Sequence, residues 1–305
     1  ANADDLAAVI SRDNGKSRID ALSTEVLPAA MAISYYMKMA PCFLRPRSLM
    51  PGNILLANKL ARIHRVPFGL IGIISPWNYP YGIPFSEVVM GLLAGNAVIL
   101  KTASETQLVG RRLEEAFVSA GLPHGIFTYL NMPGRVAGEA FIRGGVDKLF
   151  FTGSVPVGKK LMALAAESLT PVSLELGGND AMLVCPDADL ERASAGAVWA
   201  GLSNCGQSCG GVERIYVHRA VYGHFMELLK NKVEALRIGQ DLIALGGGIG
   251  QCGDEEIDGF ADRLAGIGQP LAVIGLGGFG LQNGQFAARC VALCHRLAQV
   301  GLDHL

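Results

Sequence analysis

Three short runs of nearly uninterrupted apolar residues stand out in the first half of the chain. They are FGLIGIISP from Phe68, AVILK over residues 97–101, and LFF within residues 147–154. Runs of this length that are rich in Ile, Val and Phe are typical of strands buried on both faces of a sheet. Apolar positions at helical spacing between them predict helices over residues 86–93 and 108–120. Strands that alternate with helices predict an α/β fold with a doubly wound parallel sheet.

The pattern changes on both sides of this region. Apolar positions over residues 4–39 have helical spacing, residues 45–53 read as a loop, and residues 54–66 could supply a short hairpin. After Gly239 glycines are crowded, and the runs LIAL and PLAVIGL lack the regular spacing that would place them on a neighbouring sheet, so we expect a poorly packed tail. The pattern divides the chain into a helical segment (1–46), a hairpin or linker (47–66), an α/β region with a nucleotide-binding layout (67–174), a following segment (175–240) and a glycine-rich tail (241–305).

Composition excludes several classes of protein. Half of the 305 residues are hydrophobic and 17% are charged, which is enough apolar material for a sizeable core. The net charge is −1 without a basic stripe, so we expect no nucleic-acid partner. The most apolar window, residues 88–100, is too short to span a bilayer. Seven scattered cysteines and the absence of a cationic, apolar leader predict free thiols and a cytoplasmic protein.

Two of the cysteines, Cys205 and Cys209, lie close together in LSNCGQSCGGVER. They could form half of a zinc site, pack in the core, or provide a nucleophile. The other half of a zinc site would come from the distant tail residues Cys290, Cys294 and His295. The spacing of the first pair fits one face of a helix better than a zinc knuckle, and nothing holds the tail beside it. We therefore predict no metal site.

The segment FFTGSVPVGKK predicts a strand, a turn and a helix. Gly153 permits a tight turn, and Ser154 can cap a helix that begins with Val155 and Pro156. Amides at such a helix start can bind a cofactor phosphate. An ordinary β–α turn is the alternative.

Two further motifs contain side chains suited to catalysis. In SPWNYP, the amide of Asn78 follows the first buried strand and could donate to a developing oxyanion, or it could simply satisfy the turn backbone. In SLELGG, Glu175 between Leu174 and Leu176 would be partly desolvated and suited to act as a base. The alternative is that Glu175 faces solvent.

The order of these motifs is more specific than any one of them. WN, an apolar strand that ends in Lys, FTGS, ELGG and GQSC follow one another as in the aldehyde dehydrogenase superfamily, which the chain closely resembles from about Asn2 to Gly239. Glu175 and Cys209 are 34 residues apart, as the base and nucleophile of that family typically are. The resemblance implies a Rossmann-like NAD(P)-binding domain over residues 67–174. It also implies the start of a second α/β domain, a partial catalytic domain over residues 175–240, followed by a tail that diverges from the family over residues 241–305.

The resemblance also implies an activity, the oxidation of an aldehyde to a carboxylate with NAD or NADP. Cys209 would form the thiohemiacetal and thioester, Asn78 and the Cys209 amide would hold the oxyanion, and Glu175 would activate water. We expect Cys209 to be unusually exposed, with its thiol pKa lowered at a helix start. The resemblance also implies a set of cofactor-binding residues. Lys101 would lie at the adenosine ribose, and Gly153 and Ser154 at the pyrophosphate. Ser75, Trp77 and Ser104 complete the set, and Tyr79 would line the substrate tunnel.

Several departures from the family pattern matter. Ser104 stands where many NAD-using members have a glutamate, and the acid comes one residue later at Glu105, so NADP has room. We find no counterpart, after Gly239, of the glutamate motif that positions the nicotinamide ribose, nor of the strand through which the family forms homo-oligomers. The family's first N-terminal stretch also has no counterpart. The alternative function is therefore a truncated or frameshifted fragment that keeps only a nucleotide-binding or scaffold surface. Glu175 argues against a CoA-acylating variant.

Overall fold

The computed structural model describes residues 3–236 and the backbone of residues 271–275. The chain forms two compact units, the first ending at Leu176 and the second beginning at Gly177. Within the described part of the chain, no helix is both long enough and apolar enough to cross a membrane.

Helices open the first unit, and a hairpin follows them. They are α1 (Ala3–Asn14), α2 (Arg18–Ala21), a π-helical turn (Leu22–Val26) and α3 (Leu27–Leu44), followed by the antiparallel strands β1 (Arg47–Leu49) and β2 (Ala61–Ile63). The helices predicted over residues 4–39 are confirmed. The loop predicted over residues 45–53 is wrong at its centre, because β1 lies there. Both strands are exposed along their length, so no alternation of apolar and polar residues marks them.

A parallel sheet with helices between its strands forms the rest of the first unit. Its elements are β3 (Leu70–Ile74), α4 (Gly82–Leu93), β4 (Ala97–Lys101), α5 (Gln107–Ser119), β5 (Phe127–Tyr129), α6 (Gly134–Arg143), β6 (Lys148–Thr152), α7 (Val155–Ala166) and β7 (Val172–Glu175). The strand order is β5-β4-β3-β6-β7, and every neighbouring pair is parallel. The doubly wound sheet predicted from the three apolar runs is therefore confirmed.

The sheet is covered on both faces because its strands are apolar on both sides. Ile71 and Ile73 of β3 belong to a core that includes residues of α1, α4 and α5, whereas Leu149 and Phe151 of β6 belong to a second core with residues of α6 and α7. The result is three layers, helix, sheet and helix. Since all five strands are parallel, their carboxyl ends share one edge, where α/β proteins commonly bind ligands.

The second unit contains a smaller sheet. Its elements are β8 (Asp180–Val184), α8 (Leu190–Leu202), β9 (Val212–His218), α9 (Tyr222–Glu234) and β10 (Leu271–Gly275). β8 and β9 are parallel, and β10 is antiparallel to β9. The expectation that the PLAVIGL run cannot join a sheet is wrong, because a continuous run that contains Val and Ile needs no alternation to pair as a strand. The other predictions for residues 241–305, including Cys290, Cys294 and His295, lie outside the described residues.

Candidate active site

Predicted cofactor residues lie at the carboxyl edge of the first sheet, where Ser75 follows β3, Lys101 ends β4 and Ser104 comes shortly after it. The Ser75 amide donates to the Lys101 carbonyl at 2.9 Å, and both side chains are buried. The Ser75 hydroxyl has no hydrogen-bond partner in the described part of the chain. Burial lowers the pKa of Lys101, and the charge of Glu105 opposes this shift. A Cβ on Gly134, at the start of α6, would lie 3.4 Å from the Lys101 Nζ, so a glycine there leaves the ammonium room. Ser104 is exposed.

The turn between β6 and α7 has the geometry predicted for an anion site. Ser154 is the N-cap of α7, with φ −78° and ψ 149°, but its side chain makes no capping hydrogen bond. Ser154 and the first helical residues, Val155 and Pro156, are exposed. A Cβ on Gly153 would lie 2.5 Å from the Phe151 ring, so only glycine fits without a shift. The start of α7 is therefore open to solvent, and the free N–H groups of a helix start, which Pro156 lacks, are the groups that bind a phosphate.

The WNYP turn lies between β3 and α4, as predicted. Trp77 is 39% exposed, and Asn78 and Tyr79 are half-buried. Side chains from the amino-terminal helical region contact the backbone of this turn. Asn14 Nδ2 donates to the Trp77 carbonyl at 2.7 Å, and Lys16 Nζ donates to the Asn78 carbonyl at 2.9 Å. Sequence reasoning missed these contacts, because residues more than 60 positions apart make them.

Glu175 ends β7, opposite Thr152 of β6, and its carbonyl accepts from the Gly153 amide at 2.9 Å. Its side chain is exposed, so the predicted partial desolvation is not observed. The reason is its position at the last residue of a strand that borders the sheet, next to a glycine pair without side chains. Desolvation acts instead on Glu87 of α4, a half-buried residue whose Oε2 is shielded from solvent. Burial, followed by the charge of Glu175, raises the pKa of Glu87 to about 7.

The raised pKa of Glu87 predicts a pH-dependent stability. Its Oε2 is buried without a hydrogen-bond partner in the described residues, so the folded protein favours the neutral acid. The contribution of Glu87 to the free energy of unfolding should therefore be largest below pH 4.5. It should fall as the pH rises from 4.5 to about 7, because the carboxyl then ionises in the unfolded chain but not in the folded protein. The shift corresponds to about 3 kcal/mol. Urea unfolding at a series of pH values measures it.

Glu87→Gln should remove this component of the pH dependence, because glutamine cannot ionise. Glu139→Gln, at an exposed position on α6, is the matched control and should leave the slope unchanged. Equal pH slopes in the native protein and in Glu87→Gln would contradict the prediction.

The segment that contains the candidate nucleophile lies in the second unit. Residues Ser203–Gly206 form a single 3₁₀ turn in which Asn204 and Cys205 have left-handed φ angles of 53° and 57°. Cys205 and Cys209 therefore do not share a helical face, contrary to prediction. Cys209 is exposed, as expected, but it precedes β9, so the expected helix start at this residue is wrong.

One glycine of ELGG lies against the backbone of Cys209. A Cβ on Gly178 would be 2.5 Å from the Cys209 carbonyl oxygen and 3.2 Å from Oδ1 of Asp180. A side chain at this position would push the backbone of residue 178 and the backbone of Cys209 apart. The sequence indicates Gly178 only as part of the motif; its contact with Cys209, 31 positions away, requires the structure.

The described residues contain no group of three or more His, Cys, Asp or Glu side chains that could hold a metal ion. The functional groups that the described candidate residues offer are the thiol of Cys209, the carboxylate of Glu175, the side-chain amide of Asn78 and the buried ammonium of Lys101.

Comparison with known proteins gives consistent results. The sequence profile described as "Aldehyde dehydrogenase family" matches residues 1–290. The chain is 40% identical over 240 residues to the 4,4'-diapolycopene aldehyde oxidase of a Methylomonas species, which covers 79% of this chain and 45% of that protein. Succinate-semialdehyde dehydrogenase from Burkholderia pseudomallei matches with a TM-score of 0.74 and 32% identity, over 79% of this chain and 49% of that one. The succinic semialdehyde dehydrogenase of Streptococcus pyogenes, solved with NADP+ as the cofactor, matches with a TM-score of 0.73 and 28% identity, over 78% of this chain and 51% of that one.

The chain spans about half the length of these relatives, 45% of the first and 49% of the second. The profile match extends to residue 290, past the predicted end of the resemblance at Gly239, whereas the alignments with the curated relatives cover 240 residues. A family profile sums weak similarity over many positions, so it can match residues beyond the last motif that is recognisable by itself. The fold, the ordered motifs and the profile agree, and the chain belongs to the aldehyde dehydrogenase family.

Proposed function

We propose that the protein oxidises an aldehyde to a carboxylate with NAD+ or NADP+. The observation that carries this proposal is Cys209, an exposed thiol in a GQSC turn whose backbone lies against the second glycine of ELGG. Family membership supports the same reaction. The relatives compared above are named for different aldehydes, so the proposal extends to aldehydes as a class. The cytoplasmic location stays a prediction.

In the proposed reaction the thiolate of Cys209 attacks the carbonyl carbon and forms a thiohemiacetal. The side-chain amide of Asn78 and the backbone N–H of Cys209 donate to the oxyanion. NAD(P)+, when bound, would supply the hydride acceptor, and loss of the hydride from the thiohemiacetal carbon converts it to the thioester on Cys209. Glu175 then takes a proton from water, and the resulting hydroxide attacks the thioester, which releases the carboxylate and restores the thiol. The exposed position of Glu175 at the end of β7 leaves its carboxylate accessible to that water.

The residues at the carboxyl edge of the first sheet fit the cofactor. The accessible amides at the start of α7 suit a pyrophosphate, with Gly153 leaving room for close approach. Lys101 would donate to the adenosine ribose, and Ser75 and Trp77 lie in the loop after the neighbouring strand β3. Tyr79 would line the substrate tunnel. These roles are part of the proposal.

Ser104→Glu should discriminate between the two cofactors. A carboxylate here would repel the 2′-phosphate of NADP+ and weaken its binding at least about 10-fold, while NAD+ binding changes little. Ser119→Glu, at an exposed position at the other end of α5, is the matched control. Titration of each variant with both cofactors measures the effect, and equal weakening of NAD+ and NADP+ would contradict the assignment.

The proposed function is tested by mixing the chain with aliphatic and aromatic aldehydes and either cofactor. We expect reduced nicotinamide and carboxylate to form in equal amounts, with iodoacetamide blocking turnover through Cys209. Cofactor binding without turnover and without a thioester on Cys209 would overturn the proposal and favour the alternative, a protein that keeps only a nucleotide-binding surface.

A further inference from the structure

A fully buried ion pair joins the amino-terminal helices to the WNYP turn. Lys16 Nζ and Glu25 Oε1 are 2.6 Å apart, and their side chains are 1% and 0% exposed. Burial lowers the pKa of Lys16, and the charge of Glu25 opposes the shift. Desolvating two charges costs so much that apolar residues of similar size often stabilise a fold equally well or better. A contribution to stability is therefore a weak explanation for why this ion pair is buried.

Glu25 holds the end of the turn where α4 begins. Its Oε2 accepts from the Tyr81 amide at 2.7 Å and from the Gly82 amide at 3.0 Å. These are donors at the start of a helix whose own N-cap makes no side-chain hydrogen bond. A carboxylate at a helix start is favoured by the helix dipole as well as by the two amides. Glu25 thus caps α4 from a different part of the chain.

Lys16 holds the middle of the same turn. Its Nζ donates to the carbonyl of Asn78 at 2.9 Å and lies 4.3 Å from the centre of the Tyr79 ring. The two charged groups therefore bracket the turn, one on the backbone of Asn78 and the other on the backbone three residues later.

Glu25 reaches this position from an unusual turn of helix. Residues Leu22–Val26 form a π-helical turn, in which the Leu27 amide donates to the Leu22 carbonyl. Single π-helical turns are rare within α-helical regions and occur frequently at functional sites. This irregular turn carries the carboxylate that reaches the WNYP turn.

We propose that Lys16 and Glu25 are positioning residues that hold the backbone of the WNYP turn and thereby orient the side-chain amide of Asn78. The catalytic consequence rests on the proposed function, in which that amide donates to the oxyanion. Such donors work because they are already in place when charge develops, and a displacement of about 1 Å can cost up to about 100-fold in rate. Neither charged group needs to touch the substrate for this role.

The test is the double variant Lys16→Met with Glu25→Gln. It removes both buried charges together, so no unpaired charge remains to unfold the protein. We expect faster hydrogen exchange confined to the peptide that contains residues 77–82. We also expect kcat to fall about 10-fold to 100-fold for aldehyde oxidation and for cleavage of an activated ester, with unchanged affinity for NAD(P)+.

The matched control is Arg143→Met with Glu139→Gln, which replaces the cation and the anion of an exposed ion pair on α6 by the same two residue types. It should leave both exchange over residues 77–82 and kcat unchanged. Unchanged exchange in the Lys16/Glu25 variant would overturn the proposal. Hydrogen exchange that is accelerated equally throughout the first unit would also overturn it. The same holds if kcat falls only in proportion to the fraction of protein that is unfolded. If the native chain has neither activity, the proposed function fails, and the exchange measurement alone decides whether the pair holds the turn.

Discussion

Replacement of Cys209 by serine is expected to reduce aldehyde oxidation at least about 1,000-fold, because removal of a covalent nucleophile is among the most damaging single changes in an enzyme. A serine hydroxyl stays protonated at neutral pH, whereas a thiol supplies a useful fraction of thiolate. NAD(P)+ affinity should be retained, since the proposed cofactor residues lie in the first unit. Steady-state turnover and cofactor titration measure the two effects.

Cys185→Ser is the control for this change. Cys185 is also exposed and follows β8 directly, so it reports on the loss of a surface thiol without the loss of the nucleophile. Its activity should equal that of the native chain. Turnover above a tenth of the native rate in Cys209→Ser, or iodoacetamide labelling of Cys205 in preference to Cys209 at neutral pH, would contradict the assignment of the nucleophile.

Gly178→Ala should have the second largest effect, a loss of about 100-fold in kcat. The added Cβ would lie 2.5 Å from the carbonyl oxygen of Cys209, a backbone atom that cannot rotate away as a side chain can. The two backbone segments must therefore move apart, which changes the position of the Cys209 thiol and amide relative to the ELGG segment. The rate of thioester formation in a single turnover measures the effect most directly.

Gly196→Ala, in the middle of α8, provides the comparison. A Cβ at this position meets no atom within 4 Å, and alanine has a higher helix propensity than glycine. The variant should keep full activity and gain about 0.5 to 1 kcal/mol of stability. If kcat is unchanged in Gly178→Ala, the close approach of Gly178 to Cys209 does not affect catalysis.

The first sheet could be predicted from the sequence because its strands are buried on both faces. The runs at β3, β4 and β6 are apolar without interruption, which is the pattern of a parallel sheet between helices. Parallel strands also place their carboxyl ends together, so Ser75 and Lys101 could be placed at one edge before the structure was known. Where burial in the core dictates the residue types, the hydrophobic pattern was sufficient to predict the strands and their order along the chain.

Other features depend on contacts that the sequence does not encode locally. The left-handed Asn204 and Cys205 interrupt what reads as a helix, because asparagine only weakly favours that conformation and cysteine gives no signal for it. Lys16 and Glu25 read as ordinary surface charges of a helical segment, and only packing shows that they are buried. The burial of Glu87 likewise follows from the packing of α4, not from its neighbours in the sequence.

The cap on α4 has a consequence for how the chain matures on the ribosome. Glu25 precedes Tyr81, the amide it accepts from, by 56 positions. Synthesis runs from the amino terminus, so the carboxylate is already outside the exit tunnel when the first turn of α4 emerges. The start of α4 can therefore meet its capping carboxylate as it emerges, and the WNYP turn can take its shape while the residues that follow it are still in the tunnel.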